Sequence, residues 1–200
     1  MAGPDADSSV EIIGHLARSR DVIQAAMEDA RFVATVAAIA DAVAQSLAAG
    51  GKLLLCGNGG SAGDAQHIAG EFVCRLNYDR APAAAIALTV DSSVLTAVAN
   101  DYGYEHVFER QVLALGRPGD ILLAISTSGR SPSVLRAMDA ARQIGMLVVA
   151  FTGLTGGEMP ERTALVLYVP SDSTPLIQQV HITTAHAVCA LVEKRLFPRN

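Results

Sequence analysis

The sequence predicts an α/β fold: a parallel sheet of about five strands, flanked by helices on both faces and preceded by N-terminal helices. Three observations carry that expectation. From residue 52 onward, short β-rich runs alternate with amphipathic stretches, the pattern of right-handed βαβ crossovers. The runs are almost continuously hydrophobic, as ILLAI at 121–125, which is what strands covered on both faces require. Before residue 52, the stretch 10–48 is rich in Ala, Val and Ile, with no Pro and Gly14 as its one glycine. That composition suits helices.

Taken in order, residues 1–9 are polar and acidic, without the apolar stretch of a secretory leader, and are expected to be a flexible N-terminus. Two helices follow at 10–28 and 30–48, the second stopped by Ala-Ala-Gly-Gly at 48–51. Then come a strand at 52–56, a helix at 61–76, a strand at 84–89 and helices at 92–99 and 107–115. A strand at 120–126, a helix at 132–144, strands at 146–152 and 164–169 and a helix at 174–197 complete the chain. No repeat, low-complexity segment or linker interrupts it, so 10–200 reads as a single domain. Its helical appendage, 10–48, must bury an apolar face, and a neighbouring subunit is a suitable place.

With 200 residues, half of them hydrophobic, the chain can build one substantial core but not two full-sized domains. A formal net charge of -5, no basic run and no Trp argue against a nucleic-acid surface. Apolar runs such as 121–125 and 146–151 have strand length, well short of the roughly 20 residues that span a bilayer, so no transmembrane segment is expected. Cys56, Cys74 and Cys189 are an odd count without CxxC spacing, which fits free thiols in a reducing, cytoplasmic setting.

In parallel sheets ligands sit at the carboxyl ends of strands, and two polar loops fall there. The first, GNGGSAGDAQH at 57–67, lets backbone N–H groups approach an anionic or polyhydroxylic ligand, with Ser61 expected as the cap of the next helix. Gly57, Gly59 and Ala62 also match a dinucleotide fingerprint. The acid that fingerprint needs about 20 residues on has no good counterpart, since Asp91 comes too late, so a nicotinamide or flavin is not expected. The second loop, STSGRSPS at 126–133, crowds Ser126, Thr127, Ser128 and Ser131 ahead of a helix with Pro132 in its first turn. Hydroxyls, N–H groups and a helix dipole make a phosphate site without lysine. Neither loop carries the GKS or GKT of a Walker nucleotide site.

Three sets of polar side chains could do chemistry. His67 and Glu71 are i,i+4 on the helix after the first loop, off the apolar stripe of Ala65, Ile68, Ala69 and Phe72. Asn100-Asp101 ends a short helix, as a cap or turn would. The last helix carries Gln178, His181 and His186. Imidazole and carboxylate are zinc ligands, so His67, Glu71 and one of these histidines form a plausible site. Periodicity does not choose between His181 and His186.

In combination these strings resemble the phosphoheptose isomerases, within the sugar-isomerase (SIS) domain family. LLLCGNGGSAGDAQHIAGEF is similar to that family's GNGGSAADAQHxAxE signature. LTAVANDYGYEHVFERQV, GDILLAISTSGRSPSVL and IQQVHITTAH continue the likeness in order, over roughly residues 10–197. The resemblance implies an SIS-type domain and exchange of sedoheptulose 7-phosphate with D-glycero-D-manno-heptose 7-phosphate, the first step toward nucleotide-activated heptoses for surface polysaccharide such as lipopolysaccharide or capsule. It further implies a cytoplasmic homotetramer with one zinc per subunit, active sites near subunit interfaces, and the 10–48 helices used in oligomerisation. By matching positions, Asn58, Gly59, Gly60, Asn100 and Asp101 would contact substrate, and Ser126, Thr127, Ser128 and Ser131 its phosphate. His67, Glu71, Gln178 and His186 would surround the metal, with Glu71 and His186 as the acid–base pair; the resemblance thus favours His186 over His181. Gln178 would contact substrate as well.

Gln178 and His186 stand about 12 Å apart along a helix, a long reach for ligands of one ion unless two subunits contribute or Gln178 precedes the regular helix. Gly63, Gln179 and Ser173 depart from the family's usual Ala, Glu and Asp. Two alternatives share the first loop: a non-catalytic tetrameric adaptor that binds the replication initiator protein, and another sugar-phosphate isomerase or sensor. As the resemblance reads, the adaptors lack acid–base residues that are present here.

Overall fold

The computed structural model describes residues 6–199. Helix α1 spans Ala6–Glu28 and α2 spans Ala30–Ala48. After them run β1 (Leu53–Gly57), α3 (Gly60–Val73), β2 (Ala85–Ala87), α4 (Ser92–Tyr102), a 3-10 turn (Tyr104–His106) and α5 (Glu109–Leu115). The rest is β3 (Ile121–Ile125), α6 (Pro132–Gln143), β4 (Leu147–Thr152), a 3-10 turn (Met159–Glu161), β5 (Leu165–Tyr168) and α7 (Thr174–Leu196).

All four strand pairings are parallel, in the order β2-β1-β3-β4-β5. The alternation of side chains along each strand sorts the core into two layers. Leu53, Leu55, Ile121 and Leu123 face α2, α3 and α7, while Leu54, Leu122, Ala124 and Val148 face α4, α5 and α6. This is why the strand sequences show no polar alternation: β1 and β3 are buried at every position.

Three sequence expectations need correction. Residues 6–9 are helical, part of α1 rather than a flexible tail; residues 1–5 lie outside the described residues. Helix α4 runs three residues further than expected, so Asn100 and Asp101 sit inside its last turn. The expected 107–115 helix starts at Glu109, because Tyr104–His106 winds as a 3-10 turn and sends Val107 and Phe108 into the core. Helix α2, Ala30–Ala48, has the length and composition to cross a bilayer, with mean hydropathy 1.3, a test that the core helix of a globular domain also passes. Arg31, Asp41 and Gln45 interrupt its apolar run. One stripe of that helix (Val36, Ile39, Ala40, Val43 and Ala44) is buried, and Val36, Ile39 and Val43 join the sheet's core layer.

Helix α1 is different. Its end near Val22, Ile23 and Ala26 packs on Ile177 and Val180 of α7. Toward its start Val10, Ile12, Ile13 and Leu16 are exposed. A groove of about 290 Å³ lined by Ile23, Met27, Phe32, Val33 and Leu191 lies between α1, α2 and α7.

Candidate active site at the α3–α7 seam

Helices α3 and α7 pack side by side, and their near-constant sequence separation shows that they run parallel. At the start, Gly60 lies against Gln178: a side chain built on Gly60 would collide with the Gln178 amide. About two turns on, His67 meets His186. At the end, the residues after α3 meet Glu193. Helix α3 begins at Gly60 with Gly59 (φ 55) as its N-cap, not at Ser61. Ser61 instead lies buried in the first turn. The tight Gly60–Gln178 approach is what the glycines permit.

A cavity of about 350 Å³ opens at this start of the seam. It is lined by the glycine loop (Asn58, Gly59, Gly60), the serine loop (Ser126, Thr127, Ser128, Ser131), Thr174 and Gln178. The two loops follow β1 and β3, adjacent parallel strands, so they open at one edge of the sheet. They are also cross-linked. Asn58 Nδ2 donates to Ser131 Oγ (2.7 Å) and Ser133 Oγ (3.0 Å), and Asn58 Oδ1 accepts from Tyr104 Oη (2.8 Å). Both ends of the Asn58 amide are therefore engaged in holding the loops. Ser131 is the N-cap of α6 by position but makes no side-chain cap. Its hydroxyl is turned to Asn58, which leaves the dipole end of α6 to the cavity.

The second half of the site lies deeper along the seam. His67 Nε2 is 2.9 Å from His186 Nε2 and 3.1 Å from Glu71 Oε1. One ligand atom from each residue falls within 4.8 Å of the others. Two imidazole nitrogens and a carboxylate oxygen facing one point share an excess of lone pairs, which a proton or a cation must relieve. The donor set is the nitrogen–oxygen set that zinc takes, so these residues fit a metal.

His181 goes elsewhere. It is 1 % exposed, packs on Phe151, and its Nε2 lies 3.2 Å from the Thr152 carbonyl. Burial pulls its pKa down to about 4, against a smaller upward effect of the Thr152 bond. A neutral core imidazole of this kind ties α7 to the end of β4. Gln178 is the fifth residue of α7, so it does not precede the regular helix. Its side chain faces Gly60 and the cavity, two turns before His186.

Asn100 and Asp101 are exposed, bond each other (2.8 Å) and are not among the cavity's lining residues. Gln179 reaches His15 of α1 at 3.4 Å, and its Oε1 is buried without a partner among the described residues. Thr174, Ser133 and Tyr104 belong to the site and escaped the sequence reading. Thr174 had a signal, since it opens the helix that follows the β5 strand end. Tyr104 had none, because its contact with Asn58 spans 46 residues.

Comparisons with known proteins point to one family. Residues 15–153 match the SIS domain family. The phosphoheptose isomerase of Burkholderia pseudomallei (strain K96243) is 54% identical over 189 residues, covering 94% of this chain and 96% of that protein. That of Roseiflexus sp. (strain RS-1) is 60% identical over 162 residues, 81% and 82% of the two chains. Among solved structures, phosphoheptose isomerase from Neisseria gonorrhoeae superposes with TM-score 0.87 at 42% identity, over 93% of this chain and 98% of that one. The Francisella tularensis enzyme gives 0.89 at 36%, over 94% and 98%.

Proposed function

The chain belongs to the SIS domain family, among its phosphoheptose isomerases, and from that premise we propose that the α3–α7 seam isomerises sedoheptulose 7-phosphate to D-glycero-D-manno-heptose 7-phosphate, feeding nucleotide-activated heptose synthesis. The observation that carries the reading is the meeting of His67, Glu71 and His186, from two helices, beside a hydroxyl-lined cavity.

The cavity end binds. Ser126, Thr127, Ser128 and Ser131 take the phosphate at the uncapped start of α6, where hydroxyl and N–H donors and the helix dipole favour an anion. Gly59, Gly60 and Gln178 line the path of the sugar chain. Asn58 holds the two loops at the spacing the substrate spans.

The seam end reacts. Aldose–ketose exchange moves a proton between neighbouring carbons through an enediolate, so it needs a base at one carbon and an acid for the oxygens. Glu71 takes the proton from the ketose C1 and returns it at C2. His186 shuttles the hydroxyl proton between the two oxygens. A zinc ion held by His67, Glu71, Gln178 and His186 would polarise the reacting carbonyl. Reach along α7 makes Gln178 the outlying member of that set, and a second subunit at the interface would close the gap. Asn100 and Asp101, exposed here, would then meet substrate across the same interface.

The single domain 10–200, with its 10–48 helices, is suited to a cytoplasmic homotetramer. The exposed apolar residues at the start of α1 and the groove between α1, α2 and α7 support that reading. The test is to mix sedoheptulose 7-phosphate with purified protein and follow aldoheptose phosphate. No turnover, or full turnover by Glu71→Gln, would remove the assignment; capture of replication initiator protein by a chain without turnover would put an adaptor in its place.

A further inference from the structure

The segment that leaves α3 turns back onto the last turns of α7, and a buried ion pair joins them there. Glu193 is 2 % exposed. Its Oε1 accepts from Leu76 N (3.0 Å) and Arg80 Nε (3.2 Å), and its Oε2 from Asn77 N (3.0 Å) and Asn77 Nδ2 (3.1 Å). Burial pushes the carboxyl up, but these donors outweigh it and hold the group below the usual glutamate range.

The Arg80 side chain is equally buried and spreads its guanidinium over four acceptors. Nε faces Glu193, Nη2 donates to the Glu71 carbonyl (2.7 Å), and Nη1 donates to the carbonyls of Phe72 (2.7 Å) and Ala81 (2.9 Å). A buried ion pair is weak evidence for stability, since apolar side chains of the same volume would fill the space as well. What this pair supplies is geometry. It binds the backbone of Glu71 itself to α7 at Glu193, two turns beyond His186 on the same helix face. The seam is thus closely packed at one end, where Gly60 lies against Gln178, and tied at the other by Arg80 with Glu193, and the His67–His186 meeting lies between them.

We propose that Arg80 is a positioning residue: by holding the end of α3 to Glu193, it sets how far α3 is slid along α7, and so the spacing at which His67, Glu71 and His186 receive a metal ion. This rests on the metal reading of the seam. Sliding errors near 1 Å are enough to cost turnover about a hundredfold at a catalytic cluster. Lysine keeps the charge opposite Glu193 but, with one nitrogen, cannot also span the three carbonyls.

The experiment compares wild-type protein with Arg80→Lys by far-UV circular dichroism, by zinc titration of the metal-stripped protein against a chelating dye, and by kcat and KM for sedoheptulose 7-phosphate. The expected result is an unchanged spectrum, zinc affinity lowered about tenfold or more, kcat lowered by a similar factor, and KM within about twofold of wild type. Wild-type zinc affinity and kcat in the lysine variant would overturn the proposal. A KM that worsens in step would overturn it too, because the whole site would then have loosened. Should the lysine variant not fold, Glu193→Gln decides by the same readouts, with a smaller loss of the same pattern expected. Wild-type protein that takes up no zinc overturns the metal reading and this proposal together; wild-type uptake matched by the variant overturns this proposal alone.

Discussion

The cavity beside Gly60 and the cluster at His67 lie on the same pair of helices, roughly 10 Å apart by helical rise, yet they are built of different materials. The cavity is lined by backbone, hydroxyls and amides, with no ionisable side chain among its lining residues. Its loops follow strands and are locked together through Asn58. The cluster is made of two imidazoles and a carboxylate projecting from helix faces, partly exposed. The contrast teaches a division of labour. On the proposed function, a neutral, rigid end would hold a dianion without altering the groups that move protons, and the titratable end would be left free to react.

That division can be broken by mutation, most severely at the reactive end. His186→Ala and Glu71→Gln should each lower kcat by about 10²–10⁴, the usual worth of a positioned acid or base, with KM for sedoheptulose 7-phosphate little changed. Stripping the protein with a chelator should cost a comparable factor, restored by zinc and read by activity together with metal analysis. A KM that rises along with these losses would show the two ends to be one unit.

The next largest effect separates the two histidines of α7. His181 is held neutral, its pKa lowered to about 4 from an unfolded value near 6.5. Between those values the unfolded chain binds the proton and the folded one does not, so stability falls as pH drops from about 6.5 to 4. The linked loss is about 3 kcal/mol. Urea unfolding of wild type and His181→Leu at fixed protein concentration across that window checks it. The variant should show the flatter pH dependence, and parallel curves would refute the buried neutral assignment.

The smallest effect is at the binding end. Ser126→Ala combined with Ser128→Ala should raise KM about tenfold, the worth of roughly 1.4 kcal/mol in lost hydrogen bonding to phosphate. Inorganic phosphate should compete correspondingly less well, while kcat moves little. A fall in kcat with unchanged KM would reverse the assignment of the two ends.

Much of this was legible in the chain because it is local. Apolar runs such as ILLAI could only be doubly buried strands, and each of the five lies within two residues of its expected bounds. The two polar loops were legible for the same reason, since each stands directly after its strand. Boundaries failed where a distant contact decided them. Ser61 has the chemistry of a cap, yet α3 starts earlier because Gly60 can press against Gln178, 118 residues away. Asn100 and Asp101 look like a helix stop, yet α4 continues to Tyr102 before Gly103 ends it.

The sequence by itself determined the fold class, the two loops and the candidate side chains, because periodicity, glycine placement and donor chemistry act over a few residues. Only the tertiary structure decided which of them meet. His181 and His186 differ by 140° around one helix, and no local rule says which direction faces the core. Packing of α7 against β4 and α3 turned one inward to Thr152 and the other toward His67. The clamp of Arg80 on Glu193 was invisible for the same reason: 113 residues separate its partners, and only the parallel seam of two helices brings them, and the reactive cluster between them and the cavity, into line.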